Sequence, residues 1–446
     1  MIGKENKAFL PSQDWLTLTE KTKNDLITAE KHNHKGLKKE AWETFHQSLQ
    51  ELEKITLKQS DIWKADYLKA IRQWLKESEK QLENLKLELQ LIEPITRNIY
   101  RSGEALQPKE FGKETFIGRE DLRDELSFRI LSSAIMPTIL LQGQRRVGKT
   151  SLLNFLPELL GTRFLIIPLD FQSSECFSLP ASLNSFIKKT EQILNLKTPH
   201  ETLPQDPLEA WYQFEQFFQN IARQENRKII LAFDEYENFH RLLTQETEKG
   251  ERLLEAMRSF SQRQNNIVFL FTGLLIFSDL GEPDFSRYFV QNQRIKVDFL
   301  KKEDSQKLIT NPYQGFNVTY PTELVEKIYS LTLGHPALLQ QICFEMVNLA
   351  NKNNKKQMTP TDFQTVLEIV LDRNNAVMTN FWVHFCHASL KQTVTKIMNR
   401  QQPDNNADIL RLLDYGFVVE DEMCYYKLRV PLFEQWIKKH GESFGK

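Results

Sequence analysis

Cysteine and glycine are scarce in this chain, long apolar runs are missing and neither sign of charge prevails. Each shortage removes a class of protein. The four cysteines among 446 residues, Cys176, Cys343, Cys386 and Cys424, lie far apart and form no Cys-x-x-Cys pair. That argues against a disulfide framework and predicts reduced thiols in the core. No stretch reaches the roughly 18 apolar residues of a membrane-spanning helix, and Met1-Ile2-Gly3-Lys4-Glu5-Asn6 runs into polar sequence without an apolar signal core. Membrane insertion and secretion are therefore not expected, and a cytoplasmic location is. With a net charge of −1, no global basic field advertises nucleic acid or an anionic membrane. What remains is an ordinary globular composition, long enough for two or three domains with cores of their own.

Two of the few glycines fall inside one eight-residue stretch, Gly143-Gln144-Arg145-Arg146-Val147-Gly148-Lys149-Thr150. Before it, Pro137 to Gln142 is an apolar run suited to a buried strand; after it, Ser151 to Leu156 reads as a helix start. Strand, glycine loop and helix are what phosphate binding requires. The glycines allow a tight turn that points backbone N–H groups at phosphate oxygens, and the helix N-terminus adds partial positive charge. Lys149 would reach the β- and γ-phosphates and the Thr150 hydroxyl would ligate Mg²⁺. The stretch predicts a nucleoside triphosphate ligand.

A second motif agrees with the first. Arg227 to Glu235 is an apolar strand ending in two carboxylates. Asp234 at the strand end would hold the Mg²⁺ shell, and Glu235 would polarise the water that attacks the γ-phosphate, which makes ATPase activity the expectation. The next apolar run ends in Phe271-Thr272-Gly273, so Thr272 is the candidate γ-phosphate sensor. Arg287 and Arg294 flank the last strand, where a resemblance to AAA+ proteins would imply an arginine presented to a neighbouring subunit's nucleotide.

The surrounding sequence divides into segments. Residues 1–97 are rich in Lys, Glu, Leu and Gln with almost no glycine, and predict an α-helical domain. Its clearest helix carries Leu68, Ile71, Leu75, Ser78, Leu82, Leu85, Leu89 and Ile92 in alternating three- and four-residue steps. That seam suits either the inner face of a bundle or a coiled coil with another chain; Trp63, Tyr67 and Trp74 widen it and favour the bundle. Residues 98–115 read as a linker. From 116 to 300 strands alternate with helices, with strands expected at Pro137–Gln142, Arg163–Leu169, Lys228–Phe233, Asn266–Phe271 and Arg294–Phe299. This predicts an α/β P-loop core with a parallel sheet. Residues 301–371 return to helical spacing, as in a lid domain. Residues 372–446 read as a winged helix, with a hairpin turning at Glu420-Asp421-Glu422. Its candidate recognition helix, Ala407 to Asp414, holds one arginine and two aspartates, which disfavours groove reading.

Four motifs together resemble the STAND NTPases, signal-transduction ATPases related to the origin-recognition branch of AAA+ proteins. Phe116-Ile117-Gly118-Arg119-Glu120 resembles the box whose backbone lines the adenine pocket, which would give Gly118 and Arg119 a place in nucleotide binding. Gln144 to Leu153, including Ser151, is similar to the phosphate loop of prokaryotic members. Phe233-Asp234-Glu235-Tyr236-Glu237 is similar to their second motif. Gly334-His335-Pro336 resembles their Gly-x-Pro signature, in which Pro336 would pack on adenine. The likeness spans roughly Asn98 to the C-terminus and implies ATP with Mg²⁺, a helical lid and a winged helix. It departs from many members in having no recognisable repeat array after the winged helix and no evident effector motif before the core.

Three functions compete. The favoured one is a slowly hydrolysing ATPase switch, in which nucleotide state changes partner binding through the N-terminal helices or drives homo-oligomerisation, in bacterial signalling or defence as the resemblance implies. The alternatives are a DNA-associated AAA+ ATPase and a scaffold with structural nucleotide. Contact with nucleic acid is disfavoured by the acidic helix, and contact with a membrane is not expected.

Overall fold

The computed structural model describes residues 12–31, 35–59, 63–90, 95–101, 103–109, 112–133, 135–196, 201–246, 248–275, 277–282, 284–289 and 293–444. Two compact units divide the chain, Met1–Pro94 and Ile95–Lys446.

The first unit is built from three helices, α1 (Gln13–Lys31), α2 (Lys35–Leu57) and α3 (Lys64–Gln90). Its core joins Trp15, Phe45, Leu49 and Leu52 to Ile71 and Leu85 of the seam, with Leu75 and Leu82 partly covered. The seam thus faces its own unit, as a bundle requires. Ile92 lies outside the described residues. Trp63, Tyr67 and Trp74 do not widen the packed face as expected: they are 60%, 41% and 43% exposed. The reason is geometric. Tyr67 meets Trp15 and Trp74 meets Phe45 in T-shaped contacts that leave much of Tyr67 and Trp74 exposed.

In the second unit, five parallel strands form one sheet: β1 (Thr138–Gln142), β2 (Phe164–Asp170), β3 (Lys228–Asp234), β4 (Ile267–Gly273) and β5 (Gln293–Lys296), in the order β2-β3-β4-β1-β5. Both faces of β1 to β4 are covered, which is why those strands read as apolar runs, whereas the edge strand β5 buries only Ile295. Alternate residues go to opposite sides: Ile139, Ile166, Ile230 and Val268 join one core, and Leu140, Leu165, Ile229 and Phe269 the other. The second core is dominated by phenylalanine, with Phe233, Phe239, Phe271 and Phe285 in mutual ring contact. Strand β5 leaves the sheet at Lys296, short of the Phe299 expected.

Four helices follow the sheet, Lys302–Thr310, Thr322–Thr332, Pro336–Lys352 and Pro360–Val370. Local chemistry fixes their starts. Thr359 and Asp362 form a reciprocal capping box before Pro360, and Pro336 sits in the first turn of its helix, where a missing N–H costs nothing. Beyond them come a π-helical stretch, Asn380–Phe385, the helices Ala388–Met398 and Asn406–Asp414, a hairpin of β6 (Val418–Glu420) and β7 (Tyr426–Leu428), and a closing helix, Pro431–His440. One apolar core runs from the sheet face through the four helices into this C-terminal module.

Two expectations are corrected. The segment 98–115 is no free linker. Tyr100 is buried with its hydroxyl donating to the Leu308 carbonyl at 2.7 Å, Asn98 donates to Phe344 and Asn348, and the Leu106 backbone bonds Ser151 and Asn154. Residues more than 200 positions away fasten it, Leu308 and Phe344 through backbone carbonyls and Asn348 through its side chain. The cysteines also divide: Cys176, Cys343 and Cys386 are buried, whereas Cys424 is exposed in the hairpin turn. No helix among the described residues is long and apolar enough to cross a membrane.

Candidate functional site

The loop after β1 turns so tightly that it has no room for a side chain at its first glycine. A Cβ on Gly143 would stand 2.5 Å from the Val297 carbonyl oxygen and 2.9 Å from Val147 Cγ1. Gly148 answers a different need, since φ of 95° places it in the left-handed region at the head of the Lys149–Leu160 helix. Together they aim the helix N-terminus at a cavity of about 270 Å³. Arg145, Arg146, Lys149 and Thr150 bring positive charge and donors to one part of its wall; Phe116, Ile117, Leu308 and Pro336 make another part apolar. A wall that is cationic in one place and apolar in another fits a phosphate chain carrying a planar base.

Lys149 is 7% exposed, and its ammonium donates to the carbonyls of Gly143 at 2.8 Å and Gln144 at 2.9 Å. Burial lowers its pKa, while the carboxylates of Glu235, Glu237 and Asp234 pull the other way. Asp234 closes β3, paired in register with Asp170 on one side and Thr272 on the other. Desolvation pushes its carboxyl up to about 6, against a hydrogen bond from the Thr150 hydroxyl. Hydroxyl and carboxylate side by side are hard oxygen donors suited to Mg²⁺. Among the described residues no group of three or more His, Cys, Asp or Glu side chains could hold a metal by itself. The pair therefore suits a cation that takes its other ligands from phosphate and water. Glu235 has left-handed backbone, φ 54°, at the head of the Tyr236–Gln245 helix. It lines both this cavity and a wider cleft of about 740 Å³ shared with Arg145, Lys149 and Glu237. A carboxylate there can accept a proton from water.

Not every predicted residue reaches the cavity: Gly143 and Asp234 are absent from its wall and from that of the wider cleft, Asp234 meeting the cavity through Thr150. Val147, Gly148 and Ser151 line it, but the Ser151 hydroxyl is committed to the Leu106 N–H at 3.0 Å. Gly118 is absent from the wall, although Ile117 and Arg119 beside it line it. The Arg119 guanidinium is nine-tenths buried and donates to the carbonyls of Val147 and Asp298, so it braces the loop against the segment after β5. Gln144 turns away: its amide donates to the Gly416 carbonyl of the C-terminal module at 2.7 Å. Thr272 lies beside Asp234 in the sheet, yet it lines neither cavity and its buried hydroxyl has no hydrogen-bond partner among the described residues. Arg287 and Arg294 also line neither. His335 is buried between Phe299 and Phe433, its pKa lowered to about 3 by burial, outside the wall.

Glu237, part of the second motif but given no role there, braces the site. One carboxylate oxygen accepts the N–H groups of Leu274 and Leu275, tying the Glu235 helix to the end of β4. Burial raises its pKa. The available signal was an acid among Tyr236, Phe239 and Leu243, which form the buried face of its helix.

A family model described as novel STAND NTPase 1 matches residues 105–373, which contain the sheet, most of the residues lining the cavity and the four following helices. No curated protein sequence matches. Among solved structures the chain is similar to a Walker-type ATPase of Pyrococcus abyssi, 15% identical over 76% of this chain and 99% of that one, TM-score 0.51. It is also similar to the Aeropyrum pernix ORC2 protein, 13% identical over 78% and 98%, TM-score 0.47, and to Cdc6p of Pyrobaculum aerophilum, 15% identical over 76% and 97%, TM-score 0.42. The first of these likenesses establishes the fold.

Proposed function

The chain belongs to the novel STAND NTPase 1 family, and from that premise we propose that it is a slowly hydrolysing ATP switch that moves its C-terminal module and thereby controls partner binding or oligomerisation. ATP would lie with its phosphates on Lys149, Thr150 and the loop amides and its base between Phe116, Ile117 and Pro336. Mg²⁺, held by Thr150 and Asp234, would neutralise phosphate charge. Glu235 orients the attacking water. Expelling water from such a site strengthens each of these contacts.

One observation carries the switch reading. Gln144 belongs to the phosphate loop, yet its buried amide is bonded to Gly416. A rearrangement of the loop around a triphosphate therefore acts on the C-terminal module directly, and a ligand shifts a two-state equilibrium by its differential affinity for the two states. The module itself does not favour DNA as the output. In the Asn406–Asp414 helix, Asp408 is buried on Ser389 and Thr393, and Arg411 stacks on Phe385 and Tyr415. The N-terminal helices, with Trp63 and Trp74 exposed, supply the surface for a protein partner.

Light scattering of wild type, Lys149→Ala and Glu235→Gln tests this with ADP, ATP or a non-hydrolysable analogue, with and without Mg²⁺. The expected result is a mass change in wild type with the triphosphate and Mg²⁺ only, none in Lys149→Ala, and a persistent change in Glu235→Gln. Constant mass in every state would remove self-association as the output and leave the partner at the N-terminal helices.

A further inference from the structure

Slow hydrolysis leaves open where the positive charge for a developing leaving group comes from. Arg287 and Arg294, the sequence candidates, line neither cavity. Arg145 lines both, in company with Lys149 and Glu235 each time, and its charge is close enough to lower the Lys149 pKa. It is exposed, on a loop that begins and ends in glycine, so its guanidinium can turn. In this structure it is held. Its Nη1 donates to Asn380 Oδ1 at 3.2 Å, and Asn380 is itself oriented by donating from Nδ2 to the Ala376 carbonyl at 2.7 Å. Asn380 opens the π-helical stretch Asn380–Phe385, whose Phe381 stacks on Phe417 and Phe433 inside the C-terminal module. Such irregular helical turns are frequent at functional sites.

We propose that Arg145 is a catalytic arginine supplied within the same chain and restrained by Asn380, so that the C-terminal module slows hydrolysis through a single hydrogen bond. The proposal rests on the ATPase reading above. In the step itself the water oxygen bonds to the γ-phosphorus and its proton passes to Glu235. The bond to the β–γ bridging oxygen breaks, and the electron pair stays on the diphosphate. Arg145 donates N–H groups to the oxygens where that charge accumulates. An exposed bond from a cation to a neutral amide is weak enough to be exchanged for bonds to phosphate, which are charge-assisted on both sides. Displacement of the module would complete the release.

The test is steady-state phosphate release from ATP, with affinity for a fluorescent ATP analogue measured in parallel, on the full chain. Arg145→Ala should lower kcat at least about tenfold while affinity stays within about threefold, since arginine fingers act in the transition state. Arg145→Lys should regain part of the rate. Asn380→Ala should raise kcat roughly threefold or more, and Asn380→Asp, which holds the guanidinium by charge, should lower it. Opposite responses at one position exclude general damage to the fold. The double variant Arg145→Ala/Asn380→Ala should match Arg145→Ala alone. Wild-type kcat in Arg145→Ala overturns the assignment, as does a loss of affinity in proportion to rate. Acceleration by Asn380→Ala in the Arg145→Ala background overturns the restraint. A wild type and an Asn380→Ala variant that both bind the analogue and release no phosphate overturn the ATPase reading and this proposal together; a hydrolysing wild type equalled by Arg145→Ala overturns this proposal alone.

Discussion

Asp234 shows how a site residue can work against the fold that carries it. Its carboxyl is 5% exposed, and burial lifts its pKa from an ordinary 3.8 to about 6. An acid whose pKa is higher folded than unfolded binds more protons in the folded state between those two values. Its contribution to stability is therefore full below about 3.8 and is lost as pH climbs through about 6. At neutral pH and without nucleotide the ionised carboxylate is a strain on the order of 2–3 kcal/mol, by the conversion of pKa shift to free energy. Asp234→Asn should thus melt higher than wild type at pH 7.5, with the difference shrinking toward pH 4. Thermal unfolding at the two pH values checks it; an Asn variant less stable at pH 7.5 would show that the carboxylate is stabilised there after all. The same residue is the one on which Mg²⁺ would repay the cost. Phosphate-loop chemistry was legible because glycine, lysine and threonine at fixed spacing have few other uses. Gln144 was not, since nothing local to a glutamine says that its partner is a carbonyl 272 residues away.

At the scale of elements, helix α3 tests whether a polar break in an apolar seam is a flaw or a fixture. Ser78 is fully buried, donates to the Leu75 carbonyl at 2.8 Å and accepts from His46 Nδ1 at 2.7 Å. Gln50 then donates to His46 Nε2 at 2.9 Å, which agrees with a proton on Nδ1. Ser78→Ala strands that N–H and should cost about 1 kcal/mol. Hydrogen exchange should quicken in α2 and α3 and stay unchanged in the second unit; slower exchange in the two helices would mean that the seam prefers an apolar residue. Periodicity made α3 and its buried face readable, and apolar runs did the same for β1 to β4; β5, Gln293–Lys296, buries only Ile295 and its end was misplaced. The exposed Trp63 and Trp74 were misread because a helical wheel gives direction but not the extent of the neighbour that covers it. The segment 98–115 was misread for another reason: it has no periodicity, and its order is imposed by Leu308, Phe344 and Asn348.

Across the second unit, the sheet, the four-helix region and the C-terminal module share one apolar core, while polar contacts tie the module to the nucleotide end of the sheet. Gln144 meets Gly416, Arg145 meets Asn380, Tyr415 bonds Asp279, and Arg429 pairs with Asp298, whose carbonyl takes Arg119. Arg119 returns to the loop at Val147. In the proposed switch a triphosphate that reshapes the loop would strain these contacts or break them, and that coupling is the central claim. Its most direct measurement is hydrogen exchange at the amides of Gly416, Phe417 and Arg429, which are bonded to Leu413, Leu412 and Phe417. Glu235→Gln would be compared with ADP and with ATP, Mg²⁺ present in both. Exchange at least about tenfold faster with ATP, by local opening of the module, is the predicted result. Identical exchange in the two nucleotide states would contradict the coupling and return the contacts between loop and module to plain packing.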